Sequence, residues 1–167
     1  MTKIQLHIGI DPGTHTGIAM INSTGHLFIC TTMAIHEAMR EVEYWVALHG
    51  PGEVHIVVED ARKRGANRRE TSDIARAKAQ GAGSIKRDSA IWEDYLTFLK
   101  VSHTMIPPMR NGTAYREMIF ASVYPYWTQR TSEHARAAAN MISSKSITKE
   151  SLIKDIIQID KAYILNQ

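Results

Sequence analysis

The chain has 167 residues, 44% hydrophobic and 22% charged, enough for one sheet-centred core and cramped for two full domains. Its formal charge of +3 and pI near 9.0 lean towards a polyanionic partner, because a basic surface attracts phosphate at long range. No run approaches the roughly 18 apolar residues of a membrane span, Asp11 interrupts any signal-peptide core, and the only cysteine, Cys30, excludes an internal disulfide, so a soluble, cytoplasmic protein in a reducing setting is expected.

Residues 4–10 are strand-like, Asp11-Pro12-Gly13-Thr14 breaks the run, and 17–21 and 27–32 resume it around Ser23-Thr24-Gly25. Three antiparallel strands are predicted. Residues 35–48 place Ala38, Met39, Val42, Trp45 and Val46 at helical spacing, and Gly50-Pro51-Gly52 stops that helix. Residues 54–59 form a β-branched apolar run too short for a helix; after a crossover helix it reads as a buried parallel strand.

A basic loop at 62–69 precedes a largely helical stretch at 71–100, in which Gly81-Ala82-Gly83 marks a weak point or a close helix contact. On that helix Trp92, Tyr95, Leu96 and Leu99 suit a core or a dimer contact better than base stacking. Residues 103–107 are a candidate fifth strand, 115–123 a short helix before Pro125, and 132–142 a helix opened by a Ser or Thr cap. Finally, Leu152, Ile153, Ile156, Ile157, Tyr163 and Ile164 stripe a helix that Thr148 can cap. The expectation is an α/β domain over 1–145, then a C-terminal helix at 146–167 packed on the domain or on a partner subunit.

Three segments carry charge where chemistry would need it. Asp11, inside Gly9-Ile10-Asp11-Pro12-Gly13-Thr14-His15-Thr16-Gly17, ends a buried strand; its charge calls for a cation or several hydrogen bonds, or else it merely organises the turn. Val57-Val58-Glu59-Asp60 ends the other core strand in acid. Parallel alignment would bring Asp11 and Glu59 together, and a divalent ion would relieve their repulsion; strand-end acids facing water are the plainer alternative. Asp60 would point to the opposite face if the strand persisted. Arg62-Lys63-Arg64-Gly65-Ala66-Asn67-Arg68-Arg69 has five cations in eight residues, either a solvated loop or a hold on a nucleic-acid backbone, with Arg76, Lys78, Lys86 and Arg87 extending it. Gly81 and Gly83 follow no strand, so no nucleotide-binding loop is read there.

The run from Ile8 to Gly13 with Gly17, the strand ending in Glu59 and the late helix bearing His134 resemble the RuvC-type Holliday-junction resolvases of the RNase H-like superfamily, known in phages as well as bacteria. The resemblance covers about residues 4–142 and is strongest at 9–17. It implies a five-stranded mixed sheet flanked by helices, with the first three strands antiparallel and the fourth and fifth parallel to the first. It also implies a homodimer and two Mg2+ or Mn2+ ions per site, cutting branched DNA by phosphodiester hydrolysis. Asp11 matches the first catalytic aspartate and Glu59 the glutamate ending the fourth strand.

On the late helix the family carries two metal-facing groups three residues apart. His134 matches the first, and Ala137 stands where an aspartate is expected. Positions i and i+3 share a helix face, but alanine ligates nothing. Deliberate replacement that traps an inactive form is the leading account; a natural junction binder, or takeover by Glu133 or Asp60, are the others. The expected metal ligands are therefore Asp11, Glu59 and His134, with ions about 4 Å apart, and His134 also suits proton transfer. The expected DNA contacts are Arg62, Lys63, Arg64, Arg68, Arg69, Lys86 and Arg87. Rival readings are another RNase H-like nuclease acting on RNA or hybrids, and a non-catalytic junction-binding protein; an actin-like or sugar-kinase fragment is disfavoured by the short chain.

Overall fold

In the computed structural model residues 3–63, 72–108, 117 and 120–146 are described. Strands β1 (Leu6–Asp11), β2 (His15–Asn22) and β3 (Leu27–Ala34) form an antiparallel meander, β1 and β2 registering from Leu6↔Asn22 to Asp11↔Gly17. The first turn closes when Thr16 Oγ1 donates to the Gly13 carbonyl at 2.7 Å, while Pro12, lacking an N–H, cannot extend the ladder. In the second, Asn22 Oδ1 accepts from the Thr24 and His26 amides and the Thr24 hydroxyl, an arrangement a short carboxamide makes readily.

Helix α1 (Ile35–His49) begins where Glu37 reaches back to accept from the Ala34 amide at 3.0 Å. It ends at Gly50, whose φ of 88° favours glycine. The crossover delivers β4 (Val54–Glu59) parallel to β1, in register from Leu6↔Val54 to Ile10↔Val58. Then follow one 3-10 turn (Ala61–Lys63), helix α2 (Ser72–Phe98), β5 (Ser102–Ile106) parallel to β4, and helix α3 (Glu133–Ser146). The sheet order is β3-β2-β1-β4-β5.

Strand alternation divides the core into two. On one face Ile8, Ile10, Ile18, Met20, Ile56 and Val58 pack against Ala38, Val42 and Val46 of α1 and Trp92 and Leu96 of α2. On the other, Ala19, Ile21, Leu27, Cys30 and Val57 meet Ala135, Ala138, Ala139, Met141 and Ile142 of α3, with Phe120 and Tyr124 beside them. Alanine on α3 is what lets that helix lie low: small side chains bring its backbone close to the strands.

The strands and α1 follow the sequence-based boundaries within two residues at most ends, but the later helices differ in two respects. Helix α2 runs unbroken through 81–83, and a Cβ on Gly83 would meet nothing within 4 Å, so no close contact forms at that residue. Helix α3 continues past the expected end at 142 to Ser146. Of the two readings for the Trp92 stripe, the core is the one observed: Trp92 and Leu96 are fully buried, with Tyr95 and Leu99 packed against them, whereas Phe98 is exposed. Of the expected helix at 115–123, residues 117 and 120–123 are helical; of the expected C-terminal helix at 146–167, Ser146 instead ends α3 and the rest lies outside the described residues. Among the described residues no helix is long and apolar enough to cross a membrane.

Candidate functional site

The register sets one row of residues across the sheet. Extending the β1–β4 pairing beyond Ile10↔Val58 puts Asp11 beside Glu59. Gly17 lies opposite Asp11 on β2, Thr32 opposite Gly17 on β3, and Ile106 opposite Glu59 on β5. Val57 packs towards α3, so Glu59, two residues on, shares that face; the same parity from Gly9 puts Asp11 there. Both carboxylates thus stand on neighbouring parallel strand ends, on the face that α3 covers.

That turn is fastened to the row at several points. Ser132 caps it, its Oγ accepting from the Ala135 amide at 3.0 Å, and the Ser132 and Thr32 hydroxyls bond to one another. Cys30 Sγ donates to the Ala135 carbonyl at 3.5 Å. His134 Nδ1 donates to Asp11 Oδ2 at 2.9 Å. A carboxylate only accepts, so this contact places a ring proton on Nδ1. Asp11 is 8% exposed, and its carboxylate accepts a hydrogen bond from a partner 123 residues away.

Hard carboxylate oxygens and an imidazole suit Mg2+ or Mn2+. The expected three-ligand cluster is nevertheless not assembled: among the described residues no three His, Cys, Asp or Glu side chains are grouped to hold a metal ion. Asp11 and His134 meet directly, and Glu59 stands one strand along. The physical reason lies in α3, where Ala137, 2% exposed and on the His134 face of the helix, adds no carboxylate, while the imidazole satisfies itself on Asp11.

Asp60 does not take over the missing position. It is 2% exposed, on the parity opposite Glu59, and it accepts from Arg62 Nε at 2.7 Å, Arg62 Nη2 at 2.9 Å and the Arg62 amide at 3.0 Å. The guanidinium holds its carboxyl below the usual carboxylate range despite burial, and the same fork raises Arg62. Arg62 also reaches Glu93 at 2.6 Å, tying the end of β4 to α2. Glu133 is exposed in the first turn of α3.

The expected DNA contacts therefore divide. Arg62 is engaged with Asp60 and Glu93, and Lys63 Nζ donates to the Met105 carbonyl of β5 at 2.7 Å. Lys86 is exposed, and Arg87, 68% exposed, lies 3.4 Å from Asp88. Arg64, Arg68 and Arg69 lie outside the described residues. Sequence reasoning did not find Glu93 or Thr32: an acid on a long helix and a threonine on an edge strand carry no local mark of their partners. Tyr126 is a packing residue, its hydroxyl accepting from the Leu27 amide at 2.8 Å and its ring stacked on His26.

A β3-β2-β1-β4-β5 sheet with β1, β4 and β5 parallel, flanked by helices on both faces, is the RNase H-like α/β fold. No protein-family model matches the chain, and no curated protein matches it.

Proposed function

We propose that this protein is a structure-specific endonuclease of the RuvC type, cutting four-way or other branched DNA by metal-assisted hydrolysis, and that the chain with Ala137 is its inactive form. The observation that carries the reading is the corner where Asp11 ends β1, bonds His134 at 2.9 Å and stands beside Glu59 on the next parallel strand. Asp11 and Glu59 would hold Mg2+ or Mn2+, with His134 as the nitrogen donor. When bound, such an ion supplies an activated water and stabilises negative charge on the departing oxygen.

The chain's own residues supply the rest. Asp11 orients the imidazole by accepting from Nδ1, which leaves Nε2 as the ring nitrogen that would meet the ion. Lys86 and Arg87 offer charge to backbone phosphates, which fix position without reading sequence. Two copies about a two-fold axis would match the pseudo-symmetry of a four-way junction, so a homodimer belongs to the proposal.

Ala137→Asp tests it. The variant should nick a four-way junction in pairs with Mg2+ and leave a linear duplex intact; preferential cutting of an RNA–DNA hybrid would overturn the junction assignment. A second reading, a non-catalytic junction binder on the same fold, is favoured by the unassembled ligand cluster at a buried Ala137. A variant that binds Mg2+ and the junction yet cuts nothing would establish that reading.

A further inference from the structure

We propose that Gly17 is a positioning residue for His134: by having no side chain, it lets α3 descend until the imidazole reaches Asp11. This rests on the endonuclease reading for its catalytic consequence, though not for its geometry. A Cβ built on Gly17 would fall inside van der Waals contact of the His134 carbonyl and 2.9 Å from the Ala135 amide nitrogen. One helical turn further along, a Cβ on Gly9 would overlap the Ala138 carbonyl oxygen and lie 2.8 Å from its carbon. Each obstacle is backbone, which cannot swing aside as a side chain can.

Conformation does not explain these glycines. Among the described residues the glycines with positive φ are Gly25 and Gly50, so neither Gly9 nor Gly17 is needed for a left-handed turn. Gly13, in the adjoining turn, is a natural control: a Cβ there would meet nothing nearer than the His15 carbonyl at 3.5 Å. Close approach is therefore the requirement at Gly17. Carbon and oxygen rest at about 3.3 Å or more, so a methyl at Gly17 would lift the start of α3 by roughly 1 Å. The His134–Asp11 separation of 2.9 Å would then pass beyond hydrogen-bonding range. A misplacement of about 1 Å lowers turnover about 100-fold.

The test has two arms. In the unmodified protein, NMR should show a strong Overhauser contact between the Gly17 α-protons and the Ala135 amide, and a His134 ring protonated at Nδ1; absence of the contact overturns the inference. Gly17→Ala should abolish the Nδ1–H signal while Gly13→Ala keeps it, and retention in Gly17→Ala overturns it too. In the Ala137→Asp background, Gly17→Ala should lower kcat about 100-fold with junction affinity within about twofold, a split that general destabilisation does not produce. If that background cuts nothing, the endonuclease reading fails and the ring signal still decides the role of Gly17. If Gly17→Ala does not fold, Thr32→Val decides: it removes the hydroxyl tie to Ser132 without adding bulk under α3. A retained Nδ1–H signal there assigns the seat to Gly17, and its loss assigns it to the tie and overturns the proposal.

Discussion

Replacing Ala137 with aspartate should make the stability of this protein depend on divalent metal. The site is 2% exposed, one helical turn from His134 and on the helix that covers Asp11, itself 8% exposed. Burial and a neighbouring carboxylate both disfavour a second negative charge there. If they raise the pKa of the introduced group by about two units, folding at pH 7 loses about 2.7 kcal/mol. The sign follows from linkage. An acid whose folded pKa is raised costs stability above that pKa, and the cost vanishes as pH falls below the ordinary value near 4. In chelator, then, the variant should lose ground to its parent at pH 7 and recover it towards pH 4. Metal acts in the opposite sense, since an ion at about 100 times its dissociation constant contributes about 2.7 kcal/mol to the folded state. For a chain of this size that amounts to about 5–10 °C in Tm. Thermal unfolding of parent and variant, each in EDTA and in excess Mg2+ or Mn2+, measures the effect. A variant as stable as its parent in EDTA, with no larger response to metal, would refute the assignment of position 137 to a metal site.

Arg62→Met removes the guanidinium from a carboxylate that is 2% exposed and should cost about 3 kcal/mol in urea unfolding at pH 7. Because pairing lowers the folded pKa of Asp60, its contribution is present above the ordinary carboxylate value and lost as pH falls through the folded one, so parent and variant should converge below about pH 4. Burial pushes the Cys30 thiol up to about 12, so alkylation at pH 8, followed by mass spectrometry, should be slower in the folded than in the unfolded protein on the order of 1,000-fold. Rapid labelling of the native protein would contradict the buried setting. Replacing Lys86 and Arg87 by Gln should weaken DNA binding and flatten its dependence on log salt by about 0.9 per lost phosphate contact. An unchanged slope in binding titrations would remove both from the interface.

Local order in the chain announces much of this architecture. The apolar runs of β1 and β2, the Asp-Pro-Gly turn between them and the Gly-Pro-Gly stop after α1 act over a few residues, so a short window suffices to read them. The parallel placement of β4 follows as well, since a run of Val and Ile after a crossover helix has nowhere polar to face. From that placement the side-by-side acids Asp11 and Glu59 could be foreseen. Asp60 is the instructive contrast: one residue from Glu59, it belongs to the other face and to Arg62 and, through it, to Glu93. Spacing could give its face, and Arg62 lies only two residues on, but packing alone could name Glu93. Likewise His134 was legible as a candidate, but whether its ring would serve a ligand cluster or close on Asp11 depended on how deeply α3 sits, and so on backbone passing directly over Gly17. Which residues extend, turn and cap is written in the chain, because those preferences are set by near neighbours. How the layers pack then settles which distant groups meet: His134 and Asp11 are 123 residues apart and Arg62 and Glu93 31, and no local window contains the distance between the elements that carry them.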